Sequence, residues 1–184
     1  MIEIDARALK QVEMRLGKYR SKAPMVISRA LNRATTNMKT NISRKAREIY
    51  IVKSKDINQA LTLKRANKAR LSAVLRYQGE RMPLDKFKYT PKNPNPKKRR
   101  IVKVAVKKDG VKPLLHAFVA NINGPKIFER VGKPRLPIRR LFGPAVPQMV
   151  GNEELRQFVE SEAVKTYQKR LNHEIKRVLE GGSL

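Results

Sequence analysis

Few residues in this chain are of a type and spacing that could carry chemistry. His116 and His173 are the only imidazoles, and there is no cysteine. Neither histidine has a second ligand at metal spacing, and the missing thiolates exclude a disulfide framework and a thiolate zinc site. The sequence has no glycine-rich phosphate loop, no nucleophile elbow and no convincing pair of carboxylates. A nuclease needs acidic metal ligands, and the carboxylates here fall in predicted helix turns and at surface positions. The chain therefore reads as a protein that is not an enzyme, with no catalytic or metal-binding residue and no cofactor. Glu129, on a predicted strand beside Arg130, is the one acid that stands out, and its expected role is an ion pair, local or across a subunit boundary.

What the residues do offer is fixed positive charge. Lysine and arginine number 43 against 15 carboxylates, a net charge of +28. That excess is larger than solubility needs and predicts a polyanionic partner: nucleic acid first, then an acidic protein surface or anionic lipid. Two places concentrate it. Lys97, Lys98, Arg99 and Arg100 are consecutive, and four adjacent cations repel one another unless an anion is near. Arg139 and Arg140 form a second basic step. These six residues are the candidates to face a polyanion or DNA. Arg29, Arg33, Lys39, Arg44, Lys45 and Arg47 read equally well as a phosphate-facing edge or a solvated helix face.

The elements that position these charges follow from periodicity. At 184 residues one domain spanning 1–184 is expected, long enough to bury roughly two thirds of its unfolded surface. Leu9, Val12, Leu16 and Tyr19 form one apolar stripe after Asp5, a first helix closed by Gly17 and the Ser21–Pro24 break. From Pro24, residues Ile27, Leu31, Ala34, Met38, Ile42, Ala46 and Ile49 step by three or four, a second helix roughly 35–40 Å long. Ser54 is expected to cap a short helix ending near Ala60. A helix-turn-helix is discounted, because the turn lacks glycine and strand-like sequence follows.

Leu61–Leu63 and Leu71–Gln78 alternate at period two, as strands do. Prolines 91, 94 and 96 among lysines and asparagines mark residues 88–100 as a flexible basic arm. Ile101–Val106, the Asp109-Gly110 turn, a strand from Val111 through Val119 that includes His116, and Ile127–Val131 predict further hairpin strands. Asn152 caps a C-terminal helix over 152–180, with Glu153 and Glu154 in its first turn and Gly181-Gly182 beyond its end. The pattern is α+β: long N-terminal and C-terminal helices packed with a small, mainly antiparallel β-sheet. No apolar run approaches the ~18 residues of a membrane span, no secretory signal is recognisable, and the start reads as a mature protein made in a cytoplasm.

Leu136–Met149 stands apart. Pro137, Pro144 and Pro147 rule out a continuous helix or central strand, yet Leu136, Ile138, Leu141, Phe142, Val146 and Met149 are too apolar for a solvated linker. Such a segment lies against its own core, as an ordered crossing to the last helix, or against a partner subunit. Leu136, Pro137, Ile138, Leu141, Phe142, Pro144, Val146 and Met149 are the candidate interface residues.

Phe118-Val119-Ala120, Asn123-Gly124, Ile127-Phe128-Glu129-Arg130 and Arg135–Met149 together resemble the signature of the prophage minor tail protein Z family, the tail-completion proteins of long-tailed bacteriophages. The resemblance extends to Ile27–Met82, with Arg29-Ala30-Leu31-Asn32-Arg33-Ala34, Lys55-Asp56-Ile57 and Ala60-Leu61. It fades in Lys88–Arg100 and in the last helix. It implies a structural virion protein at the head-proximal end of the tail, in the neck region, needed for tail maturation and head–tail joining. The implied partners are further copies in a six-fold ring, the tail terminator and other tail or neck proteins, and DNA in the channel, with no membrane. Assembly would take place in the host cytoplasm. Arg140 stands where the family pattern carries an acidic residue. Without the resemblance, +28 alone ranks a DNA- or RNA-associated binding module first.

Overall fold

The structure, a computed structural model, describes residues 2–3, 6–94 and 100–181. In chain order the elements are β1 (Ile2–Glu3), α1 (Ala6–Leu16), a short 3-10 helix (Gly17–Lys22), α2 (Ala23–Ile49), α3 (Ser54–Gln59), β2 (Leu61–Lys64), β3 (Ser72–Tyr77) and β4 (Arg81–Pro83). A 3-10 turn at Leu84–Lys86, β5 (Lys88–Thr90), β6 (Val102–Ala105), β7 (Lys112–Leu114), β8 (Ala117–Asn121) and β9 (Pro125–Arg130) follow. The last are β10 (Ile138–Arg140), β11 (Phe142–Ala145), α4 (Val146–Val150) and α5 (Glu153–Leu179). Every strand pairing is antiparallel. The α+β pattern with long helices towards both ends is thus the observed one, although the strands form four small sheets rather than one. The chain divides into two compact units.

The first unit comprises Met1–Ile42, Leu61–Tyr77 and Asn152–Leu184. Its core joins Val12 and Leu16 of α1, Val26, Ile27 and Leu31 of α2, Ala66 and Ala73, and Ile175 and Val178 of α5. Val12, Leu16, Ile27, Leu31, Ile175 and Val178 lie on the stripes that helical periodicity marks, and each fully buried aliphatic side chain contributes about 1.5–3 kcal/mol. Gly17 closes α1 with φ +54, a left-handed conformation that glycine adopts without a Cβ penalty. Arg15 of α1 donates to Asn172 Oδ1 of α5 at 2.8 Å. Asn152 accepts from the Leu155 amide, so the predicted cap of the last helix is in place. β3 lies between β1 and β2.

The second unit comprises Ser43–Ala60 and Gln78–Gly151. It holds the sheets β5-β6-β7, β10-β9-β8 and β11-β4. The Asp109-Gly110 turn joins β6 to β7, and Pro113 sits on β7, an edge strand where its missing N–H is tolerated. Asn123 and Gly124 both take positive φ, 52° and 96°, in the β8–β9 turn.

Several local expectations are corrected. Ser54 is the first residue of α3 rather than its cap; Lys53 takes that place without a side-chain bond. The Ser54 hydroxyl instead lies 3.2 Å from Ser43 Oγ and accepts from Asn58. Leu115 and His116 are exposed in a turn, outside β8, so His116 does not belong to an apolar strand. The segment expected as a basic arm begins with a strand: Lys88–Thr90 pairs with β6, and Tyr89 is 5% exposed. An aromatic ring outweighs the charge pattern there, because it supplies the apolar area that ordering requires.

Candidate functional site

The Leu136–Met149 stretch is a chain of short regular pieces rather than an irregular crossing. β10 pairs with β9 and β11 with β4, and α4 follows directly. The prolines explain the shortness: Pro137 precedes β10, Pro144 falls where the β11–β4 register shifts, and Pro147 sits in the first turn of α4. Gln148 closes that turn by accepting the Ala145 amide at 2.9 Å. Gly143 packs so closely that an added Cβ would stand 3.0 Å from Phe87 and 3.1 Å from Leu84.

This arrangement sorts the candidate interface residues. Val146 and Met149 are 4% and 1% exposed and belong to the protomer's own core. They are corrected here from interface candidates to packing residues. Ile138, Leu141 and Pro144 are half-buried. Leu136, Pro137 and Phe142 face outward, with Leu136 67% exposed.

The basic step is also sorted. Cross-strand register sets Arg139 opposite Glu129, and the two form an ion pair within the chain. Glu129 thus has its expected local partner. Arg140 grips the Asp85 carboxylate through three hydrogen bonds of 2.8–3.1 Å. Its guanidinium also lies 5.9 Å from the Phe142 ring. A planar fork on a carboxylate is the strongest ion-pair geometry a side chain offers. Both arginines therefore already have an anion within the chain. Arg100 is exposed; Lys97, Lys98 and Arg99 lie outside the described residues.

A group of arginines converges in the first unit. A cleft of about 500 Å³ is lined by Arg29 and Arg33 of α2, Arg65 from the β2–β3 connection, and Arg170 and Arg177 of α5. His173, Asn32 and Thr36 complete much of the wall, and Glu174 is the one carboxylate. Helical spacing builds both walls: Arg29 and Arg33 are one turn apart on α2, and Arg170, His173 and Arg177 share one face of α5. Asn32 positions the third wall. Its amide donates to the Ala66 carbonyl and its oxygen accepts the Ala66 amide, both at 2.9 Å, which clamps the connection beside Arg65 to α2. Within that connection Asn67 and Arg70 close a turn through two bonds, and Arg70 donates to the Arg65 carbonyl.

Glu174 brings one negative charge against the five arginines. Its Oε2 has no hydrogen-bond partner among the described residues and lies 3.8 Å from the Arg29 guanidinium, an ion-pair contact without a bond. Arg33, Arg65 and Arg170 have no carboxylate partner among the described residues. Tyr167 of α5 packs on the apolar core, and burial pushes its phenol up to about 12. It stays neutral and adds no charge to the site.

The sequence pattern marks Arg29 and Arg33 without deciding their role and does not single out Arg65, Arg170 or Arg177. The signal for the α5 pair was present in their seven-residue spacing. Arg65 had none, because only the Asn32 clamp brings it to the cleft. Among the described residues no cluster of three or more histidines or carboxylates is placed to hold a metal, and no helix is long and apolar enough to cross a membrane.

No curated protein and no solved structure matches the chain. The model of the prophage minor tail protein Z family matches residues 7–181, which takes in the clamp of Asn32, the Glu129–Arg139 pair, the Leu136–Met149 stretch and α5. The chain belongs to the prophage minor tail protein Z family and is a structural protein of the bacteriophage tail.

Proposed function

We propose that this protein is a ring subunit at the head-proximal end of the tail, required for tail completion and for joining head to tail, with DNA passing through the ring. The family match over residues 7–181 carries this reading. Two features of the second unit support it. β10 is an edge strand of its sheet, and an unpaired edge can receive a strand or loop of a neighbour. Beside it, Leu136, Phe142 and Val131 are 67%, 49% and 58% exposed, more apolar surface than an edge loop needs in water. A ring requires a heterologous contact between two different patches of the subunit, and this edge supplies one of them. The other tail and neck proteins are its neighbours above and below.

A stop codon early in the gene, followed by electron microscopy of the lysate, tests the role. Filled heads beside separate or defective tails are expected; normal infectious particles would overturn it. Leu136→Asp with Phe142→Asp should leave the purified chain folded but fail to restore particles when supplied in trans.

A further inference from the structure

The arginine cleft of the first unit is longer than one cavity. A second cavity, of about 240 Å³, shares Arg33, Thr36 and Arg170 with it and continues past Thr40 and Thr166. A third shares His173 and Arg177 and runs on to Lys176 and Glu180. Along α5 the strip reaches from Thr166 to Glu180, roughly 20 Å at the rise of an α-helix. We propose that this strip binds the sugar-phosphate backbone of duplex DNA, held through arginine forks without reading base sequence.

Three observations lead to that partner. The first is length: a single phosphate or nucleotide occupies a fraction of the strip, so the ligand is a polymer. The second is the kind of cation. The cleft's five permanent cations are all arginine, although Lys39 and Lys169 lie close by on the same two helices. Guanidinium is planar, permanently charged and bidentate, the match for phosphate oxygens. The third is what the lining lacks. Among the described residues no phenylalanine, tyrosine or tryptophan lines any of the three cavities, and His173 is the one ring there. Single-strand binders stack bases on aromatic rings, and protein partners anchor apolar or aromatic side chains in pockets. A duplex presents only phosphate and sugar to such a surface, and asks only for donors. The arginines supply those donors, since the Thr36 and Thr40 hydroxyls already donate to the Asn32 and Thr36 carbonyls of α2.

The polyanion chemistry of the strip stands on its own residues; the choice of DNA as the polyanion rests on the tail reading. The test uses the purified full chain and a fluorescein-labelled random-sequence DNA duplex of about two helical turns, titrated by anisotropy across a range of salt. The probe variant is Arg33→Gln with Arg170→Gln. The control is Lys108→Gln with Lys112→Gln, which removes the same charge from exposed positions of the second unit. Each duplex phosphate neutralised contributes about 0.9 to the slope of log K against log salt. The probe variant should therefore lower the slope by about 2 and weaken binding at least tenfold at moderate salt, while the control changes both by clearly less. Equal losses in probe and control would overturn the site, since binding would then follow net charge alone. A single strand of the same length binding more tightly than the duplex would overturn the duplex assignment. Poly-glutamate competing at the same charge concentration, with its binding also lost in the probe variant, would make the strip a dock for acidic protein instead. None of these outcomes bears on the stop-codon experiment, so failure here and failure of the tail role are distinguishable.

Discussion

Two basic regions of this molecule differ in sequence and in kind. Arg139 and Arg140 in the second unit are adjacent, conspicuous and engaged: Glu129 stands opposite one, and Asp85 takes the other through a bidentate fork. Arg29, Arg33, Arg65, Arg170 and Arg177 in the first unit are scattered over 149 positions of sequence and converge on one cleft with a single carboxylate. The comparison teaches that a guanidinium's availability depends on where the chain's few carboxylates fall. With 15 acids against 43 cations, the acids are too few to pair one-to-one with the cations. The acids mark which of them the fold itself uses.

The largest expected effect tests the footing of the engaged region. Met149→Ala removes a fully buried side chain beneath the Leu136–Met149 stretch and should cost about 2–5 kcal/mol in denaturant unfolding. Leu136→Ala, at an exposed position, should stay within about 0.5 kcal/mol. Equal costs would mean that the stretch has no inward and outward side.

Next comes the fork itself. Asp85→Ala leaves a half-buried Arg140 without its acceptor and should cost about 1–3 kcal/mol. The pair's coupling is read from a double-mutant cycle with Arg140→Ala. A coupling near zero would place Arg140 with the available arginines and erase half of the contrast.

Arg139→Ala should cost less, under about 1 kcal/mol, because that arginine is 67% exposed and its pair with Glu129 is screened by solvent. Raising the salt concentration should narrow the difference between wild type and variant.

The smallest effect on stability belongs to the cleft. Arg33→Gln with Arg170→Gln should change the unfolding free energy by no more than about 0.5 kcal/mol, since neither side chain has a carboxylate to lose. A stability loss as large as that of Asp85→Ala would show that the cleft arginines are structural after all.

Much of the fold was legible because it rests on local rules. The apolar stripes of α1, α2 and α5, the Asn152 cap and the Asp109-Gly110 turn are set by neighbours three or four residues apart, and they formed where the pattern put them. What misled were positions where a single side chain met a distant partner. Tyr89 found a buried place and made a strand at the start of the predicted arm. Val146 and Met149, apolar in a proline-rich stretch, turned inward, while Leu136 and Phe142 turned outward. Composition treats those four residues alike.

The sequence by itself determined the fold class, the excess of positive charge and, through the order and spacing of its motifs, the family. Helical and strand periodicity, charge count and motif order are properties of the chain that need no third dimension. Only the tertiary structure decided which charges remain available. An ion pair between Arg140 and Asp85 spans 55 residues, and the Asn32 clamp that brings Arg65 to the cleft spans 34. Coulombic and hydrogen-bonding contacts act over a few ångströms, so they are decided by the packing that brings distant segments together and by nothing written at either position alone.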